Sequence, residues 1–129
     1  MFRHQVLVVG GGLAGMRAAI EASATAEVAL LAKVYLIRSH SGAARGGINA
    51  ALGNHAEGRD DSPQRHAFDT VKSSDYLADQ PAALILAREA PERILESEHW
   101  GAAFSRFPDG RIAQRRFGGS GFPRTCHAA

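Results

Sequence analysis

Gln5-Val6-Leu7-Val8-Val9-Gly10-Gly11-Gly12-Leu13-Ala14-Gly15 is the stretch that decides the fold. Its β-branched run carries no charge, which fits a strand buried on both faces of a parallel sheet. Gly10 to Gly12 ends that strand. Ala14 to Ala24 then reads as a helix, with Met16, Ala19, Ile20 and Ser23 on one face and Arg17 and Glu21 opposite. Glu27 to Ala32 reads as a second buried strand. Strand, turn, helix and strand make one βαβ unit, and a right-handed crossover sets the second strand beside the first. Gly10-x-Gly12-x-x-Gly15 stands where such a unit binds phosphate. The first glycine makes the tight turn and the second admits a pyrophosphate to the backbone. The third lets helix and strand pack closely, and the helix N-terminus faces the negative charge. This predicts dinucleotide binding by Gly10, Gly11, Gly12, Leu13, Ala14 and Gly15. An ordinary NAD site places a carboxylate at the end of the second strand. That place holds Ala32-Lys33, and Glu27 lies too early, so the ribose contact falls to Lys33 or to backbone.

Composition excludes several classes. The 129 residues are 45% hydrophobic, enough for one modest domain with a packed core. Lys and Arg number 15 against 13 Asp and Glu, and no basic run is interleaved with aromatics, so nucleic acid is not an expected partner. The lone cysteine, Cys126, allows no intramolecular disulfide, fits a reducing compartment and is expected to pack among small residues. No secretory signal is evident. The longest apolar region, Val28 to Ile37, is broken by Lys33 and is too short to span a bilayer. Membrane association would therefore need another subunit.

Further along, Lys33 to Gly53 is rich in small residues and reads as irregular, with short helical turns. Ser62 as N-cap and Pro63 at the first helical position open a helix to about Ser74. Pro81 to His99 is helical, with Ala83, Ala87, Ala90 and Ile94 on one face and Leu84 and Leu95 flanking it. Pro91 is expected to divide that region or to open a new helix. Asp109-Gly110 reads as a hairpin turn, Gly118 to Gly121 as loop, and Asp60-Asp61 as a solvated loop. None of the six histidines forms a metal spacing with another or with Cys126, so no metal is expected. Only two strands are convincing and Ala128-Ala129 closes no element. The expectation is the front part of a larger protein.

The second informative segment is Arg38-Ser39-His40-Ser41-Gly42-Ala43-Ala44-Arg45-Gly46-Gly47-Ile48-Asn49-Ala50-Ala51. A histidine set in small residues, after a strand and before Gly-Gly, can bring an imidazole against a flavin ring. Gly10–Gly15, Lys33-Val34, Arg38–Ser41 and Gly46–Asn54 resemble the flavoprotein subunit of succinate dehydrogenase and fumarate reductase. The likeness continues through Asp69–Gln80, Phe104–Arg106, Asp109–Ile112, Phe117–Gly119 and Arg124–Ala129. It covers nearly the whole chain, in order.

The resemblance implies an α/β, Rossmann-like FAD-binding domain of the glutathione-reductase type, incomplete here. Residues 1–129 would be its N-terminal part, with the capping and C-terminal domains absent. In that family the histidine matching His40 is bonded through a ring nitrogen to the 8α-methyl carbon of FAD, which raises the flavin potential. The implied cofactor set is Gly10–Gly15 with Lys33, Ser39, His40, Ser41, Ala44, Arg45, Gly46 and Gly47. Small residues from Ser41 to Ala44 would let backbone lie against the isoalloxazine, and Gly46 and Gly47 would aim amides at flavin or substrate. Residues matching Gly46 and Phe117 lie near the dicarboxylate, although core packing is the plain alternative for Phe117. Arg45 departs from the family, which usually has glutamine there. It would stabilise reduced flavin, attract a dicarboxylate or point into solvent. The implied reaction is succinate–fumarate interconversion on a C4-dicarboxylate. Electrons would pass to an iron–sulfur subunit and through a membrane anchor subunit to quinone, at the cytoplasmic side of the inner membrane. The family's proton-handling arginine belongs to the capping domain, so no catalytic residue is assigned in this chain. Two rivals remain at this stage. L-aspartate oxidase shares the fold but binds flavin non-covalently and lacks the matching histidine; a truncated, non-catalytic fragment would at most bind nucleotide.

Overall fold

The computed structural model describes residues 3–128, so Ala129, the last residue of the family-like segment, lies outside the described residues. The chain divides into two compact units, Met1–Arg45 and Gly46–Ala129.

The first unit is the βαβ unit read from the sequence. Strand β1 (Val6–Val9) pairs in parallel with β2 (Val28–Leu31), in register from Val6↔Val28 to Val9↔Leu31. Helix α1 (Leu13–Ser23) forms the crossover. Gly10 sits at φ +118, a backbone conformation that side chains disfavour. A Cβ on Gly15 would run into the Gly10 carbonyl oxygen, so helix and turn approach as closely as backbone allows.

Two details of the expected burial are corrected. The helix phase is set by the contact at Gly15, so the half-buried face runs through Gly15, Met16, Ala19 and Ala22, leaving Ile20 and Ser23 exposed. The strands are not buried on both faces: Val9 is 74% exposed, and Leu7 and Leu31 are exposed too. Within this unit one helix covers a two-stranded sheet, and one helix can cover only one face.

After β2 the chain makes one 3-10 turn (Leu36–Arg38) and then a single helical turn, α2 (His40–Ala43). Up to Gly47 this matches the irregular segment expected from Lys33 to Gly53, but within that segment Ile48–Asn49 form a strand.

The second unit is built on a small antiparallel sheet that periodicity did not reveal. Strand β3 (Ile48–Asn49) and strand β4 (Gln114–Arg115) flank β5 (Thr125–Cys126), with Cys126 opposite both Ile48 and Gln114. A short strand, Thr125–Cys126, thus stands close before Ala128, where no closing strand was expected. Two-residue strands are too short to display an alternation. Helix α3 (Pro63–Ser73) starts as read, with Ser62 Oγ accepting from the Arg65 amide at 3.2 Å. Helix α4 (Gln80–His99) is capped by Asp79, whose carboxylate accepts from the Ala82 amide at 3.0 Å.

Pro91 neither divides nor restarts α4. Proline lacks the N–H that would bond the Ala87 carbonyl and normally kinks a helix. Here Ala83, Ala87, Ala90 and Ile94 are buried on both sides of it, and that packing favours one continuous helix. Ala90 and Ile94 join Ala50, Ile112 and Cys126 in the core, with Leu52 and Phe104 packed against them. The Asp109-Gly110 turn is present: Gly110, at φ +85, donates to the Phe107 carbonyl, and Arg106 bridges Ile112.

Two buried polar groups pin this unit. Gln114 donates to the Ala50 and Arg124 carbonyls at 2.7 and 3.1 Å and accepts from the Asn54 amide at 2.9 Å. Arg124, only 1% exposed, grips Asp61 through Nε and Nη2 at 2.9 and 2.8 Å, and Nη2 also reaches Asp69 at 2.9 Å. Asp61 is thus no solvated loop residue; an arginine 63 positions later in the chain draws it inside. His66 is buried beside this cluster. Its pKa is lowered, first by burial and next by the Arg124 charge, against the pull of Asp61 and Asp69. Cys126 is fully buried as expected, and burial pushes its thiol up to about 11.

Three outcomes follow from this packing. Gly15→Ala should destabilise the first unit by about 1–3 kcal/mol, seen as a lower melting temperature, because backbone must shift to admit the methyl. Asp61→Ala should cost about 3 kcal/mol in urea denaturation followed by Trp100 fluorescence, since it strips a buried guanidinium of its main partner. His66, depressed in the folded state, binds its proton more readily when unfolded. Its contribution is therefore complete above pH ~6.5 and is lost as pH falls below that value, and His66→Gln should flatten the stability–pH curve in that window.

Candidate cofactor site

In the first unit the glycine turn, the end of β2 and the histidine turn converge on a cleft of about 420 Å³. Gly10, Gly11, Ala32, Lys33, Val34, Arg38, Ser39 and His40 line it. The Gly10 amide donates to the Leu31 carbonyl at 2.8 Å, which carries the β1–β2 ladder into the turn. A Cβ on Gly11 would meet Leu36 Cδ2 at 2.5 Å and the Ala32 methyl at 2.9 Å, so no side chain fits there. His40 is the first residue of α2. Ser39 caps that turn, its Oγ accepting from the Gly42 amide at 3.1 Å. Gly42 has a local reason to be small, because a Cβ would lie 2.6 Å from the Ile37 carbonyl oxygen.

The electrostatics suit a diphosphate. Lys33 and Arg38 contribute two cations, and among the described residues no carboxylate lines the cleft. The N-terminus of α1 carries no acidic residue in its first turn, and its cap residue Gly12 offers no side chain. The helix dipole there is consequently available to an anion. Above Gly10 the space is open, with nothing within 4 Å of a would-be Cβ. Close to Gly12 stands the Ser41 hydroxyl, 3.3 Å from a would-be Cβ; it accepts from the Leu13 amide at 3.2 Å. These residues fit the dinucleotide that the fingerprint predicts.

The predicted set is thus brought together in part. Gly10, Gly11, Lys33, Ser39 and His40 share the cleft, while Gly12, Leu13, Ala14 and Gly15 form the helix start and Ser41 bonds to it. Ala44 and Arg45 are exposed and do not line the cleft. Ala32, Val34 and Arg38 were missed as lining residues. Arg38 stood directly before Ser39-His40, and a cation beside a glycine turn was the available signal.

The remaining predicted residues belong to the second unit. Gly46 lies against Phe117: a Cβ on Gly46 would be 2.9 Å from the ring edge. Phe117 is 52% exposed and so is not a core side chain. Arg115 Nη2 donates to the Gly46 carbonyl at 2.9 Å. Gly47, at φ +113, abuts the Cys126 carbonyl, which no side chain would permit. This unit also holds a polar recess of about 290 Å³, lined by Asn49, His66, Asp69, Ser73, Gly119 and Arg124 among others. No spacing in the sequence announced it, since its residues come from three separate stretches. Among the described residues, no group of three or more His, Cys, Asp or Glu side chains could hold a metal ion.

Comparison with known proteins agrees with this geometry. The model of the FAD binding domain matches residues 5–129. The chain is 46% identical over 130 residues to the fumarate reductase flavoprotein subunit of Mycobacterium tuberculosis, covering 98% of this chain and 21% of that protein. It is 50% identical over 119 residues to the succinate dehydrogenase flavoprotein subunit of Coxiella burnetii, covering 91% of this chain and 20% of that protein. Among solved structures it resembles Mycobacterium smegmatis Sdh1 in complex with UQ1, with a TM-score of 0.87 and 41% identity over 96% of this chain and 20% of that one. It also resembles a mutant of E. coli quinol fumarate reductase FrdA, with a TM-score of 0.84 and 40% identity over 97% of this chain and 21% of that one. The chain therefore spans about a fifth of the length of these relatives. A phosphate-ready glycine turn, a cleft without carboxylates and a family match across residues 5–129 lead to one assignment: this chain belongs to the FAD binding domain family.

Proposed function

We propose that this chain is the FAD-binding part of the flavoprotein subunit of a succinate dehydrogenase or fumarate reductase. The observation that carries the proposal is His40 at the rim of the glycine-turn cleft, within a sequence 45–50% identical to such subunits. FAD supplies the two-electron chemistry when bound. The protein's part is to seat the diphosphate on the start of α1, with Lys33 and Arg38 neutralising charge, and to hold the isoalloxazine end near His40.

His40 is the proposed point of covalent attachment. His40 would hold the flavin end through a ring nitrogen, giving up its ring proton, while Lys33, Arg38 and the start of α1 would hold the diphosphate. Gly46, Gly47 and Phe117 are proposed to contact the flavin edge or a C4-dicarboxylate. The proposed partners are an iron–sulfur subunit and a membrane anchor subunit that carry electrons to quinone. Among the described residues no helix is long and apolar enough to cross a membrane, so attachment, proposed for the cytoplasmic side of the inner membrane, would run through those partners.

Acid precipitation of the full polypeptide, produced with ample riboflavin, is the test. The native protein should keep a yellow fluorescent flavin on the pellet and oxidise succinate. His40→Ser should still bind FAD reversibly but release all of it into the supernatant. Complete release from the native protein would overturn the attachment.

A further inference from the structure

We infer that Ser41 is a positioning residue for flavin attachment, a link that ties the histidine turn to the phosphate-binding turn. The inference rests on the reading of His40 given above. Ser41 directly follows His40, and its Oγ accepts from the Leu13 amide at 3.2 Å across 28 residues of sequence. Leu13 is the first residue of α1, and the Gly12 cap has no side chain to serve that amide. Ser41 therefore supplies, from a distant part of the chain, an acceptor for one of the orphan amides at the start of α1.

Three further observations give the link its meaning. The hydroxyl only accepts in this bond; among the described residues its own proton has no acceptor, so it stays available for an anionic oxygen at the helix start. The His40 side chain makes no hydrogen bond among the described residues, so the fold positions the imidazole only through the residue's backbone. That backbone is held on one side by Ser39, which accepts from the Gly42 amide, and on the other by Ser41 on Leu13. A cofactor whose diphosphate engages the start of α1 would thus fix the turn that aims the imidazole. Ser41 touches the reaction only through His40.

The test compares Ser41→Ala, Ser41→Cys and Ser41→Thr in the full polypeptide, by mixing apoprotein with saturating FAD and following acid-stable flavin with time. Saturation removes differences in reversible affinity. Ser41→Ala and the near-isosteric Ser41→Cys should slow attachment about tenfold, while Ser41→Thr, which keeps the hydroxyl, should restore it. If the alanine variant does not fold, the cysteine and threonine variants carry the comparison. Attachment as fast in Ser41→Cys as in the native protein, or as slow in Ser41→Thr as in Ser41→Cys, would overturn this inference. Native protein that never acquires acid-stable flavin would overturn the reading of His40 instead.

Discussion

Helix α1 can close on the turn after β1 only because position 15 carries no side chain. Any Cβ there would collide with the Gly10 carbonyl oxygen. That approach fixes where the helix begins and which face it turns to the sheet. It also sets the start of α1 directly after the Gly10–Gly11 turn that lines the cleft. The remaining features of the first unit respond to this placement. Gly11 accommodates Leu36 and Ala32, and Ser41 reaches back to cap Leu13. The same contact also explains the exposure of Ile20, since a helical period counted from Gly15 points position 20 away from the sheet.

The second unit depends on a different device. Arg124 and Gln114 are buried polar side chains whose partners come from distant segments. A buried ion pair adds little net stability, because desolvating the charges offsets most of their attraction. What the arrangement supplies is registration. Arg124 fixes β5 against the loop at Asp61 and helix α3 at Asp69, while Gln114 bonds the carbonyls of Ala50, just after β3, and Arg124, just before β5. With β5 so placed, the Cys126 carbonyl abuts Gly47, and the Gly46–Phe117 contact forms beside it. The glycine pair is thus shaped by the fold of its own unit as well as by any ligand.

The cleft departs from the common dinucleotide pattern in one informative respect. Lys33 occupies the place where a carboxylate usually holds the ribose, and Arg38 adds a second cation. The resulting field favours the diphosphate over a specific hydroxyl contact. Arg45 lies outside this lining and is exposed, so the structure gives no local reason for its departure from the family's glutamine.

Much of this was legible in the residues themselves. The βαβ unit, the glycine turn, the helix cap at Ser62, the buried face of α4 and the Asp109-Gly110 turn all rest on interactions between residues close in sequence. Local sterics and hydrogen bonding act at that range, so spacing alone reports them. The sheet of three two-residue strands, the burial of Asp61, the unbroken run of α4 through Pro91 and the capping of Leu13 by Ser41 were decided by the tertiary structure. Each depends on a partner far along the chain, and no local pattern records which distant side chain will arrive. For the candidate site the division is the same: the sequence named the glycines and His40, and folding chose Arg38 and the cleft they share.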